Sequence, residues 1–161
     1  MKVSLMGAFR IKGVLAEHLL GVNVETGERK KPDLRLPMSM KRHLRRVLEA
    51  VDDEIKVADP ERIEFISKWK VYGEKKDEFP KFGEIADFDK EYKELFFTDD
   101  LVIPFTPFHL DLLDNWNEYV PDDVDGLMNE MNQEFENQKK AEAEKSAEVK
   151  DKAPESAKSD A

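Results

Sequence analysis

Residues 37–72 read PMSMKRHLRRVLEAVDDEIKVADPERIEFISKWKVY, and no other stretch constrains the fold as much. Met40, Leu44, Val47, Val51, Ile55, Ala58, Ile66 and Trp69 follow one another in steps of three and four, with Arg62 as the single interruption. That spacing places them on one face of a helix, because residues three and four apart lie above one another. The stretch therefore predicts a helical scaffold with a buried seam. Nothing on it, or elsewhere in the chain, assembles into a recognisable catalytic constellation.

Pro37 suits a first helical turn, where its missing N–H removes nothing, and Ser39 offers a cap two residues later, so the helix is expected to start near residue 38. Pro60 is the irregularity. Inside a helix it deletes one backbone bond and crowds the carbonyl four residues back, at a cost of about 3 kcal/mol. Asp59-Pro60-Glu61 also reads as a fresh cap and first turn, which would make two helices meeting there. The apolar stripe keeps its phase across the proline, which favours one continuous helix of about 36 residues, near 54 Å long, kinked at Pro60. Gly73 supplies its stop.

The charges on this helix run against its dipole. Lys41, Arg42, Arg45 and Arg46 fall in the first turns, where cations are disfavoured, while Asp52, Asp53 and Glu54 come later. Arg45 and Glu49 are spaced to pair, in the weaker order. Lys41, Arg42, Arg45 and Arg46 are accordingly the candidate partner-binding residues. The alternative is a solvated face balanced by acidic segments of the same chain.

At 161 residues the chain is long enough for one modest core. It has no cysteine, which excludes disulfides, thiolate metal sites and a thiol nucleophile. No run approaches a membrane-spanning length and no secretory leader is evident, so a soluble cytoplasmic protein is expected. The net charge of −10 is unevenly spread: residues 1–73 carry 15 basic and 11 acidic side chains, whereas the remainder is strongly acidic. Such a dipolar chain can fold its acidic half over its basic patch, or pair head to tail with copies of itself.

Along the chain, Val3 and Leu5 alternate with polar residues as a short strand, and Ile11, Leu15 and Leu19 mark a helix over residues 8–20. Residues 21–36 form a loop that carries Arg29, Lys30, Lys31 and Arg35. Phe88, Tyr92 and Leu95 set a short helix over 87–97, placed to cover the long one, and Leu101 to Phe105 is an edge strand because of Pro104, able to pair with the first. Thr106-Pro107 opens a helix carrying Leu110, Leu113 and Trp116 as far as Tyr119. Val124, Leu127, Met128, Met131 and Phe135 give the last helix face. The expected architecture is mainly α: one long kinked helix packed by shorter helices, with at most a minimal two-stranded β element. Residues 1–136 make a single helical domain; residues 137–161, rich in Lys, Glu, Ala and Ser, are expected to form a disordered charged tail with a fraying helical start.

Candidate chemistry is sparse. His18, His43 and His109 lack the paired spacing of a zinc site, and each reads as a surface or boundary residue. Asp99, Asp100, Asp111, Asp114, Asp122, Asp123 and Asp125 are numerous, but Asp123, Asp125 and Gly126 do not meet the spacing of a calcium loop. No phosphate-binding glycine loop, nucleophile elbow or metalloprotease motif occurs, and none of the serines Ser4, Ser39, Ser67, Ser146, Ser156 and Ser159 sits in an elbow. No cofactor, metal or catalytic residue is therefore expected. Trp69, Trp116, Phe65, Tyr72 and Phe108 read as core, or alternatively as an aromatic interaction patch.

Leu36-Pro37 opens the long basic-then-acidic helix, ISKWKVYG follows at 66–73, then a polar linker, FDKEYKEL at 88–95 and the apolar Leu101 to Phe105. In this order of elements the chain resembles small, mostly uncharacterised proteins encoded by tailed bacteriophages, over about residues 36–120; the long basic loop at 21–36 departs from that pattern. The resemblance implies a viral accessory or assembly role and transfers no functional residues. The expected function is a non-enzymatic interaction or assembly protein, acting by self-association or on a protein partner, because a long helix needs more cover than short ones offer. The alternatives are a nucleic-acid-binding protein using the basic patch at 29–46, or an acidic decoy inhibitor of a host protein.

Overall fold

A computed structural model describes residues 1–32, 34–70 and 78–151. In chain order the elements are β1 (Lys2–Val3), α1 (Leu5–Leu20), α2 (Met38–Trp69), α3 (Ala86–Phe97), β2 (Leu101–Val102) and α4 (Asp122–Asp151), with two 3-10 turns, Leu110–Leu113 and Asn117–Tyr119, before α4. The architecture is the expected mainly α one, a long α2 packed by shorter helices beside a tiny sheet.

The Ser4 side chain accepts the Gly7 N–H at 3.1 Å and so starts α1 three residues earlier than the apolar spacing suggested. Gly21 ends α1 in the left-handed region at φ 66°, its N–H turned back onto the last turn. The loop then doubles back, with the Lys30 N–H bonded to the Gly21 carbonyl and a bridge between Val22 and Arg29. Its far end is anchored by Leu34 and Leu36, both buried.

α2 runs unbroken through Pro60. The proline lies on the exposed side, where water can reach the carbonyl it leaves unbonded, while Ile55 and Ala58 stay buried opposite. Pro37, not Ser39, takes the cap position, without a side-chain hydrogen bond. The expected stop at Gly73 lies outside the described residues. Beyond Pro60 the buried positions are Phe65 and Trp69, with Ile66 only half-buried, so Phe65 rather than Ile66 carries the seam there.

The main core joins Leu5, Leu15, Leu44, Val47, Val51, Ile103, Leu113, Val124 and Met128. Cover for the α2 stripe comes chiefly from α1, with the loop leucines and the stretch after β2 in the same core, and from α3 beyond Pro60. The expectation that the seam lacks cover is thereby corrected: irregular segments, invisible as helices in the sequence, supply the missing surface. A second cluster packs Phe65 and Trp69 against Phe88 of α3, where Glu91 accepts from the Trp69 indole at 2.8 Å and from Lys68 at 2.5 Å. β1 and β2 pair antiparallel, Lys2 with Val102 and Val3 with Leu101, so the minimal sheet forms, but Leu5 belongs to α1 and the second strand ends at Val102 rather than Phe105.

Residues 107–119 do not form the expected helix. Asn132 of α4 accepts the Phe108 N–H and donates its amide to the Phe108 carbonyl, at 2.8 and 2.9 Å, which ties this stretch to α4. Asp111, Asp114 and Asn115 compete with helix formation locally, and only 3-10 turns result. α4 buries Val124, Leu127, Met128 and Met131. It then continues past residue 136, where ordered chain was expected to end, to Asp151. Lys, Glu and Ala are strong helix formers, and Glu136, Lys140 and Glu144 recur at steps of four. Residues 152–161, the rest of the expected tail, lie outside the described residues.

Candidate protein interface

The four cations singled out in the sequence stand on the first turns of α2, whose inward positions Leu44, Val47 and Leu48 fix that end of the helix in the core. Arg42, Arg45 and Arg46 are exposed and Lys41 is half-buried. Among the described residues none of the four has a carboxylate within ion-pair distance, and Arg45 does not pair with Glu49. Other cations of the chain do find partners: Arg10 meets Glu130 at 2.5 Å, Lys12 meets Asp52, Lys56 meets Asp52 at 2.9 Å and Arg62 meets Asp59 at 2.8 Å. Among the described residues, the acidic half of the chain does not close over the basic start of α2 at ion-pair distance.

Beside these cations lies His43, its ring 4.5 Å from that of Phe108 and 6.3 Å from that of Phe105. Burial pushes the imidazole below its ordinary value of 6.5, the charges of Arg46 and His109 add to this, and a hydrogen bond with the Thr106 backbone opposes it. Arg35 reaches over the Tyr119 ring at 5.7 Å, so the basic loop end and the 3-10 segment meet near the start of α2. Tyr119 and Trp116 are exposed, whereas Trp69, Phe65 and Phe108 are buried. Trp116 therefore departs from its core reading, because the helix that would have turned it inward does not form. Tyr72 lies outside the described residues.

The outer face of α2 holds more than charge. Val57 at 72% and Met38 at 61% are the most exposed of the large apolar side chains among the described residues, and Ile63 is exposed as well. Sequence reasoning passed over this face because it followed the buried stripe; the signal was present in Val57 and Ile63, which fall out of phase with that stripe. Glu49, Asp53, Lys56 and Glu64 share the same outward side. Elsewhere, an apolar hollow of about 370 Å³ beside α3 is lined by Phe79, Phe82, Phe88 and Tyr92 among others.

Of the aspartates that invited a metal reading, Asp123 faces the His18 ring at 2.9 Å and accepts the Val124 N–H. Among the described residues no group of three or more metal-ligating side chains converges, and no helix is long and apolar enough to cross a membrane. Comparison of the chain with protein-family models, curated proteins and solved structures gives no match.

Proposed function

We propose that this is a binding and assembly protein that makes and breaks no bonds, and that the outer face of α2 is its docking surface for protein. The carrying observation is that Arg42, Arg45 and Arg46 stand exposed with no carboxylate at ion-pair distance among the described residues, whereas Arg10, Lys12 and Lys68 are tied across elements. Exposed charges beside exposed apolar side chains on a rigid element are what a protein interface uses for steering and for contact. An accessory or assembly role in a tailed phage, implied by the resemblance, is compatible with a docking function of this kind.

A photocrosslinking residue placed at Arg42, in the cell that carries the gene, tests the reading against the same residue at the exposed Lys93 of α3. Protein adducts formed from Arg42 and not from Lys93 support it. No adducts, or equal adducts from both, overturn it.

Exposed Tyr119 and Trp116 near the cations favour a second reading, single-stranded nucleic acid with bases stacked on the rings. The net charge of −10 and the nearby Asp111, Asp114 and Glu118 oppose it. A gel shift with a labelled oligonucleotide at low salt decides: retardation that fades steeply with salt would establish it.

A further inference from the structure

We infer that the occupant of the α2 outer face is a second copy of this chain, bound antiparallel, so that α2 pairs with α2 about a two-fold axis near residues 54 and 55. The inference rests on reading that face as the docking surface and goes on to name what covers it. From Met38 to Glu64 the face runs about 39 Å, at about 1.5 Å per residue, and its charge changes sign along its length. Arg42, Arg45 and Arg46 lie at one end and Glu64 at the other, with Glu49, Asp53 and Lys56 between. A helix whose two ends carry opposite charge is complementary to its own reverse. A parallel partner would instead set arginine against arginine.

The register follows from the same residues. Setting Arg45 opposite Glu64 of the second copy also sets Asp53 opposite Lys56 and lays the Arg46 stem along Ile63. By two-fold symmetry each of these contacts occurs twice. Val57, which gains nothing from water in a lone chain, falls at the rim of the covered strip. Pro60 faces the same side, so no backbone donor is lost to the contact there. A strip about 39 Å long and about 10 Å wide buries only about 800 Å² over both copies, below the standard size of a stable interface. The dimer is therefore weak and salt-sensitive, with charge setting its register.

Sedimentation equilibrium on the full chain at about 20 mM and about 500 mM salt tests this, with circular dichroism to verify the fold. The wild type is expected to dimerise at low salt below about 100 µM and to dissociate at high salt. Arg45→Glu and Glu64→Arg should each weaken the dimer at least about tenfold, since each places like charges opposite one another twice. The double variant Arg45→Glu with Glu64→Arg should return to within about threefold of wild type. A strictly monomeric wild type, single reversals that dimerise as well as wild type, or a double variant that stays monomeric would each overturn the inference. If the wild type is monomeric yet the Arg42 crosslinker still captures another protein, this dimer fails while the docking face stands.

Discussion

Gly21 shows how one residue fixes the return of the loop that follows it. Its left-handed φ excludes ordinary side chains, and an added Cβ would collide with the Lys30 carbonyl as the loop doubles back. Gly21→Ala is expected to cost about 2 kcal/mol or more, read as a lower urea midpoint. Gly27 also has a positive φ, but an added Cβ there meets nothing, so Gly27→Ala should cost less than Gly21→Ala. His43 makes a different kind of prediction. Its folded pKa lies below the ordinary 6.5, so the unfolded chain binds the proton more readily. Its neutral form supports the fold fully above pH 6.5, and stability falls as pH drops below that value. His43→Phe keeps a ring against Phe108 and should flatten that slope in thermal melts taken from about pH 7 to about pH 5.

At the scale of the elements, α2 carries Pro60 without breaking because its buried side never loses contact with the core. Pro60→Ala should restore the missing backbone bond and raise stability, by about 1 to 3 kcal/mol, with an increase in thermal midpoint as the readout. No change, or a loss, would mean that packing has adapted to the proline. What the sequence made legible follows the same logic. α1, α2, α3 and the first half of α4 were visible because their apolar residues recur locally at helical spacing. The absence of a helix at 107–119 was not visible, because the contact that fastens this stretch, Asn132 on Phe108, comes from twenty-four positions away. Phe65 was missed in favour of Ile66 for a related reason: adjacent apolar residues fit the period almost equally, and only the aromatic surface of Phe88 on α3 selects between them. Of the candidate face, the cations were legible as a charge run, whereas the exposed Val57 and Met38 stood out only once the opposite side was seen to be full.

On the scale of the molecule, regular and irregular segments divide the labour. α1, α2 and α4 supply most of the core, while the strap between β2 and α4 covers the basic end of α2 with Ile103, Phe108 and Leu113. The described side chains of α4 beyond Lys140 are exposed. Truncation after Lys140 should accordingly leave the thermal midpoint nearly unchanged, within about 0.5 kcal/mol, and a larger loss would reveal a contact made by the removed end. The strap itself hangs on very little. Beyond the pairing of Ile103 with Met1 at its start, one carboxamide, that of Asn132, holds both backbone polar groups of Phe108, and the remaining backbone pairing described for that stretch is in short 3-10 turns. Asn132 acts as a buckle: with Asn132→Leu, two partly buried backbone groups lose their partner, about 2 kcal/mol in all, and the stretch should loosen before the helices do. Amide exchange accelerated from residue 103 to residue 120, with α1 and the middle of α2 still protected, would be its signature. Release of that buckle would also uncover the ring of His43, joining the fastening of a loop to the acid sensitivity of the whole fold.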